Sequence, residues 1–466
     1  MGRLFGTDGV RGIANTELDA QLAYKVARAG THFLLQKNQD GGQAPEQVTG
    51  KQAAIIVGRD TRISGDLLES AVVAGICSVG ATALRAGVLT TPGVAYLSRA
   101  MGAAGGIMIS ASNNPVEYNG IKVFDSKGFK LPDAVEDEVE KLVHGPDDGL
   151  PRPVGPAVGR ARFMAPQESA ELYIESLRSA TEGDLSGLKV VLDCANGSAS
   201  AMAPEVFRRL GAEVVSINDS PDGLNINVGC GSTRPAAVCD AVRQNQADAG
   251  FAYDGDADRC IACDEQGNVV DGDYILAICG LDMAARGSLK GQTVVATVLS
   301  NLGLDVALKK SGVSVKRTRV GDRYVLEEML ASGYNLGGEQ SGHIVFLDHT
   351  TTGDGILTSL KVASIIKATG GRFSEAAQGL VKLPQVMVNV KVTAAVSDLA
   401  RLLAESDRVK EATRQAEEYL GETGRVVVRP SGTEPLIRVM VEADDASKAL
   451  KIAENIGEVI RREFGS

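Results

Sequence analysis

The sequence predicts an α/β fold, built as three similar α/β domains followed by a smaller C-terminal α+β domain. Two observations predict it. Apolar strand-like runs alternate with helical patterns almost throughout the chain, the signature of helices layered on sheets. The same plan also recurs three times at a spacing of roughly 110–150 residues, far longer than a stacked solenoid unit. With 466 residues, and roughly 100–200 residues per domain, three or four domains are expected.

In chain order, Ala53–Val57 reads as a buried strand running into Gly58-Arg59-Asp60. Val190–Leu192 runs into Asp193-Cys194-Ala195-Asn196-Gly197, and Val294–Val298 into Ser300-Asn301. Each is followed by a helical stretch that stops near a glycine (Gly80, Gly211, Gly312) and then by a short strand. Glycine suits the position after a helix because it enters the left-handed region without strain. A second helical stretch then leads to a small-residue strand and a polar loop: Ser110–Pro115, Asp254–Arg259 and Gly338–His343. The three loops hold equivalent places at the carboxyl ends of strands, where open α/β sheets bind ligands. After about Ala376 the pattern changes. Val386–Val392, Val426–Val428 and Leu436–Val441 read as strands, Arg429–Pro435 as a loop, and Ala446–Arg462 as an amphipathic helix. Joints fall in the Pro/Gly-rich stretch Gly145–Gly159 and near Gly370-Gly371. The expected units are residues 1–155, 156–260, 261–372 and 373–466, with a polar surface loop over Gln39–Gly50.

Composition narrows the function. A net charge of −11 argues against nucleic acid or a membrane surface as partner. No run of about 18 apolar residues is present, as a membrane span would need. The start, Met1–Gly12, lacks the apolar core of a secretory leader, and Gly6 stands at the sixth position, where N-myristoylation favours Ser or Thr. Seven scattered cysteines suit reduced thiols in a cytoplasm.

Four loops carry chemistry. Asp254-Gly-Asp256-Ala-Asp258-Arg259 sets three carboxylates at alternate positions, on one side of an extended or tightly turned backbone, as a hard divalent cation requires. Its rivals are a solvated acidic turn, a phosphatase nucleophile and an EF-hand loop completed by Glu265. The last lacks glycine at its sixth position, where Arg259 stands. Ser110-Ala-Ser112-Asn113-Asn114-Pro115 offers a serine in a tight small-residue loop, able to carry a phosphoryl group, or else an ordinary Asn-Pro turn. Arg429-Pro-Ser431-Gly432-Thr433-Glu434-Pro435, with Arg438 beyond, offers a guanidinium, hydroxyls and free backbone N–H groups suited to a phosphate dianion; turn chemistry alone would also favour it. Gly338-Glu339-Gln340-Ser341-Gly342-His343 presents donors and acceptors suited to sugar hydroxyls, or a plain polar connection. Cys260 and Cys263 read as core thiols, since no second ligand pair follows. The Arg/Asp loops around Asp8–Arg11 and Arg59–Arg62 read as structural salt links, Lys122 as a surface lysine on a strand, and Asp322-Arg323 is left without a place.

Taken together, the four loops resemble the α-D-phosphohexomutase superfamily over essentially the full chain. The resemblance implies mixed sheets around a central cleft, with Ser112 as a phosphoserine and Asp254, Asp256, Asp258 and the Ser112 phosphoryl group as Mg²⁺ ligands. It implies sugar contacts from Glu339 and Ser341, and a distal phosphate held by Arg429, Ser431, Gly432 and Thr433 with Arg438 in support. Arg11, Lys122 and Arg259 would add positive charge, and Lys122 or His343 would move the hydroxyl proton. Phe5–Gly12, Val320–Val325 and Gly338–His343 look most like the bacterial branch that isomerises glucosamine 6-phosphate to glucosamine 1-phosphate for cell-wall precursors. That implies a 1,6-bisphosphate intermediate, a hexose 1,6-bisphosphate activator and a mobile fourth domain. One departure stands out: Asn113 replaces the family's usual histidine. The alternatives are a phosphomannomutase or phosphoglucomutase of the same superfamily, and a non-catalytic Ca²⁺- or sugar-phosphate-binding protein.

Overall fold

The computed structural model describes residues 4–6, 8–40, 52–145, 148–431 and 434–465. Four sheets organise them. The first has seven strands in the order Phe5–Gly6, Gly9–Ile13, Tyr118–Asp125, Gly105–Ile109, Ala54–Arg59, Thr82–Val88, Ala161–Phe163. Its Gly105–Ile109, Ala54–Arg59 and Thr82–Val88 strands run parallel and the first three antiparallel, so the sheet is mixed. The second runs Val269–Val270, Cys260–Asp264, Ala249–Tyr253, Lys189–Asp193, Glu213–Ile217; the third Ser314–Thr318, Thr293–Thr297, Leu336–Gly338, Ile344–Phe346. Both again mix parallel crossovers with an antiparallel return. The fourth is a three-stranded antiparallel sheet, Gln385–Lys391, Leu436–Glu442, Arg425–Pro430, covered by the helix Ala446–Phe464.

The threefold plan is visible in its joints. The helices Gly65–Ser78, Ala199–Arg209 and Leu302–Lys309 are followed by Gly80, Gly211 and Gly312 at φ +90°, +92° and +73°, a conformation costly to any residue with a Cβ. The chain then enters Thr82–Val88, next to the edge of the first sheet, and the edge strands Glu213–Ile217 and Ser314–Thr318 of the second and third.

The sheets redraw the expected joints. Ala161–Phe163 completes the first sheet beyond residue 155, because it pairs in parallel with Thr82–Val88. The joint placed at 260 falls at the start of a strand: Ala249–Tyr253 and Cys260–Asp264 form one antiparallel hairpin, so the acidic loop is its turn. Phe373 packs into the core of the preceding units and the last sheet begins only at Gln385. Residues 39 and 40 of the expected surface loop end the helix Ala20–Asp40, and the rest of that loop lies outside the described residues.

One apolar core runs from Ile56 and Met108 through Phe207, Phe251 and Tyr253 to Ile356 and Phe373, joining the first three units. The fourth sheet has its own core around Val390, Val439 and Ile456. Among the described residues no helix is long and apolar enough to cross a membrane.

Candidate active site

The acidic loop is held by three helix starts. The carbonyls of Gly255, Asp256 and Ala257 accept, in turn, the N–H groups of Ser198, Thr91 and Gly355 at 2.9, 3.0 and 2.9 Å. These begin the helices Ala199–Arg209, Thr91–Ala100 and Gly355–Thr369, one from each of the first three units. The positive ends of three helix dipoles thus meet at the loop that carries three carboxylates, which favours negative charge there. Ala257 takes a left-handed conformation at φ +56°, and the Thr91 hydroxyl donates to Asp256 Oδ2 at 2.5 Å.

Asp254, Asp256 and Asp258 are fully buried, and one ligand oxygen from each lies within 4.8 Å of the others. Asp256 Oδ1 and Asp258 Oδ1 have no hydrogen-bond partner. A buried carboxylate oxygen without a donor carries a full desolvation cost. Burial, then repulsion from Asp258 and Asp256, pushes the Asp254 carboxyl well above its usual pKa. For Asp258 burial acts upward too, but Lys122 and His343 outweigh it and hold it well below. A hard divalent cation would satisfy both orphaned oxygens and relieve the repulsion, so this donor set fits magnesium. The EF-hand reading does not survive: strands flank the loop, and Glu265 instead accepts from Ser374.

Ser112 arrives from the first unit. Its Oγ donates to Asp254 Oδ2 at 2.5 Å, and its φ of +52° is rare for a residue with a Cβ. Gly255 makes the approach possible, since a Cβ there would stand 2.6 Å from the Ser112 carbonyl oxygen. Asn113 is half-buried.

Around this pair gathers a ring of charge. Lys122 is buried, not a surface lysine; its Nζ lies 2.8, 3.0 and 3.1 Å from Asp256, Asp8 and Asp258. Burial works against its charge, yet these carboxylates lift its pKa well above the usual value. Arg11 donates to Asn114 at 3.0 Å and pairs with Asp8. Lys130 bridges Asp8 and Asp322. His343 sits between Asp258 (3.8 Å) and Asp322 (3.6 Å), and its Nε2 accepts the Gly353 N–H at 3.0 Å, which leaves its Nδ1 facing Asp258. Arg259 donates its backbone N–H to Asp254, and its buried Nε has no hydrogen-bond partner but lies 3.8 Å from Asp258 Oδ1. Beside it opens a cavity of about 540 Å³ lined by Arg259, Glu339, Ser341, Ser232 and Thr233. Glu339 accepts the Gly321 N–H at 3.1 Å, and Ser341 is exposed.

In the fourth sheet Arg429 stands directly opposite Arg438 across the ladder. Like charges in that register repel; burial and Arg438 together lower the Arg429 pKa. Arg438 Nε is buried without a partner and its Nη2 reaches Glu434 only at 3.5 Å. Two facing guanidiniums suit a dianion. Ser431 is buried beside them, whereas Gly432 and Thr433 lie outside the described residues.

Ser112, the three aspartates, Lys122, Arg11, Arg259 and His343 therefore share one centre, with Glu339 and Ser341 along its cavity. Asp8, Lys130, Thr91 and Asp322 belong to the same centre, although sequence reasoning gave them at most a structural salt link. Only the Gly-flanked Asp8 and the Gly321-Asp322 step carried any signal, and neither states a partner.

Four profiles of the phosphoglucomutase/phosphomannomutase family match the chain: alpha/beta/alpha domain I over residues 2–148, domain II over 171–267, domain III over 271–383 and the C-terminal domain over 387–459. A phosphoglucosamine mutase of Clostridium novyi is 51% identical over 463 residues, 99% of each chain. One from Pelotomaculum thermopropionicum is 52% identical over 461 residues, again 99% of each. Among solved structures, a phosphoglucomutase/phosphomannomutase family protein from Burkholderia thailandensis superposes with a TM-score of 0.82 at 22% identity, covering 99% of this chain and 97% of its own. Aspergillus fumigatus N-acetylphosphoglucosamine mutase, solved with GlcNAc-6P and magnesium, gives 0.68 at 19%, covering 99% and 96%.

Proposed function

The chain belongs to the phosphoglucomutase/phosphomannomutase family, and from that premise we propose that it interconverts glucosamine 6-phosphate and glucosamine 1-phosphate, as an intramolecular phosphotransferase of amino-sugar metabolism. The observation that carries this reading is the 2.5 Å contact between the Ser112 hydroxyl and Asp254, which joins two loops 142 residues apart. Full-length identity to phosphoglucosamine mutases supports the substrate.

Ser112 is the phosphoryl carrier. A sugar hydroxyl attacks phosphorus on phospho-Ser112; the new O–P bond forms as the bond to Ser112 Oγ breaks, giving a 1,6-bisphosphate. The sugar then turns end for end, and Ser112 Oγ takes back the other phosphoryl group. Such transfers are governed by positioning and charge more than by covalent chemistry. Asp254, Asp256 and Asp258 would hold Mg²⁺, which supplies neutralising charge at the phosphoryl oxygens when bound. Lys122, kept protonated by its three carboxylates, together with Arg11 and Arg259 balances the remaining charge. His343 is our candidate for the base that takes the proton of the attacking hydroxyl; Lys122, held as an ammonium by its three carboxylates, could take it only after passing its own proton to one of them. Glu339 and Ser341 take sugar hydroxyls. Arg429, Arg438 and Ser431, with Gly432 and Thr433, take the distal phosphate. A trace of hexose 1,6-bisphosphate reloads a Ser112 that has lost its phosphate.

The test is turnover of glucosamine, glucose and mannose phosphates by purified protein with Mg²⁺. Glucosamine phosphate is expected to be turned over fastest, and Ser112→Ala to lose activity by roughly a thousandfold or more. Full activity in Ser112→Ala ends the reading, and a dominant rate on mannose phosphate rejects the substrate.

A further inference from the structure

The geometry of Ser112 poses a mechanical problem. Its left-handed backbone, at φ +52°, must persist while the side chain is alternately donor and acceptor of a phosphoryl group. An L-residue released from that conformation relaxes to negative φ and swings its side chain away. What prevents this is a clamp on the loop's carbonyls. Arg62, fully buried and paired with Asp60 at 2.9 Å, donates to the carbonyls of Ser112 (2.9 Å), Asn114 (2.8 Å) and Pro115 (2.5 Å). Asp60 also accepts the Ser110 hydroxyl at 2.6 Å, and Ser110 Oγ in turn accepts the Ser112 N–H at 2.9 Å.

All of that comes from the first unit. The second unit adds one side chain. Asn227 Nδ2 donates to the same two carbonyls, Ser112 at 2.9 Å and Asn114 at 3.1 Å. Asn227 is itself left-handed at φ +60° and is fixed by its N–H on the Ala195 carbonyl at 2.9 Å. The buried Asp193 carboxylate ties that segment down by accepting from Ala195 N–H (3.0 Å), Asn218 Nδ2 (3.0 Å) and Gly231 N–H (2.8 Å). Gly255 of the acidic loop packs into the same junction, where a Cβ would lie 3.2 Å from Asn227 Nδ2.

We propose that Asn227 is a positioning residue for phosphoryl transfer: its amide holds the Ser112 and Asn114 carbonyls from the metal-binding unit, so that the carrier hydroxyl and the acidic loop keep one registration through both half-reactions. The inference rests on the mutase reading above. Asn227 is not among the residues that line the sugar cavity. Loss of its amide therefore slows the transfer steps and leaves substrate capture unchanged.

Three variants test it. Asn227→Gly keeps the left-handed backbone without the amide; Asn227→Asp keeps the side chain's shape and removes both donors. Thr61→Val is the control, because the Thr61 hydroxyl donates to the Asn196 carbonyl at 2.6 Å across the same inter-unit junction without touching the loop carbonyls. The measurements are kcat and KM on glucosamine 6-phosphate, the rate at which glucose 1,6-bisphosphate loads Ser112, and the melting temperature. For both Asn227 variants kcat and the loading rate should fall about tenfold or more while KM stays within about twofold. Thr61→Val should turn over like the parent. If Asn227→Gly does not fold, Asn227→Asp decides. A kcat within about twofold of the parent in Asn227→Asp, or an equal loss in Thr61→Val, overturns the proposal. An unmodified parent protein that takes no phosphoryl group onto Ser112 overturns the mutase reading instead.

Discussion

Asp354 shows what burial does to a single carboxyl near the site. It caps the helix Gly355–Thr369 through the Leu357 N–H and accepts the Tyr173 hydroxyl at 2.8 Å. Burial outweighs these bonds and raises its pKa to about 6. The unfolded chain titrates near 3.9, so between those values the native state binds more protons than the unfolded one. Its contribution to stability is therefore largest below about pH 4, falls as pH rises through 6, and is flat above. Two units correspond to about 3 kcal/mol. Asp354→Asn removes this titration, so urea unfolding should show the parent losing about that much relative to the variant between pH 4 and pH 7; parallel pH profiles would contradict it. At this scale residue type and spacing named the three aspartates and a serine-bearing loop, and the family resemblance singled out Ser112, Arg259 and Lys122. Read locally, Lys122 was a surface lysine, because nothing in its neighbourhood of sequence shows that Asp8, Asp256 and Asp258 converge on its ammonium.

Elements fix the loops that residues only decorate. The acidic loop is a hairpin turn whose three successive carbonyls each receive a helix start from a different unit. Gly255 lets the serine loop sit against it, and a Cβ there would be 2.6 Å from the Ser112 carbonyl oxygen. Gly255→Ala should push the loops apart by a fraction of an ångström to an ångström and lower kcat about a hundredfold. The melting temperature should drop by only a few degrees, as for a single backbone clash at a loop. Steady-state rates and thermal unfolding check this; unchanged kcat would show that the two loops need not touch. Strands, glycine joints and loop positions were legible in the alternation of apolar runs. The helix starts that seat the acidic loop were not, since any N–H can meet any carbonyl and no side chain records the choice.

Across the whole molecule, an acidic chain of net charge −11 concentrates Arg11, Lys122, Lys130 and Arg259 around one acidic centre. The two orphaned oxygens of Asp256 and Asp258 make that centre more favourable with a divalent cation than without. A cation that binds only the folded state stabilises it, by about 2.7 kcal/mol at a hundred times its Kd. Added Mg²⁺ should therefore raise the melting temperature by several degrees and EDTA should reverse the gain, while Asp256→Asn should respond weakly. Absence of any Mg²⁺ effect on the parent would remove the metal from the site. The fourth sheet has a separate core and meets the third unit through Arg425, which reaches the Ser300 carbonyl, and Glu442, which accepts the Leu302 N–H at 2.9 Å. A few polar links of this kind suit a domain that opens for the sugar to turn.

By itself the sequence determined the threefold α/β plan, the separate tail and the chemistry of the four loops. Each of those is set by neighbours within a few residues: apolar period, glycine joints, and carboxylates or hydroxyls at fixed spacing. Tertiary structure alone decided that Asp254 would receive the Ser112 hydroxyl, that Asp8 would share Lys122, and that Arg62 and Asn227 would hold the same two carbonyls. Those pairings span 50 to 142 residues of chain, and they exist only after burial has removed the water that would otherwise satisfy each group separately.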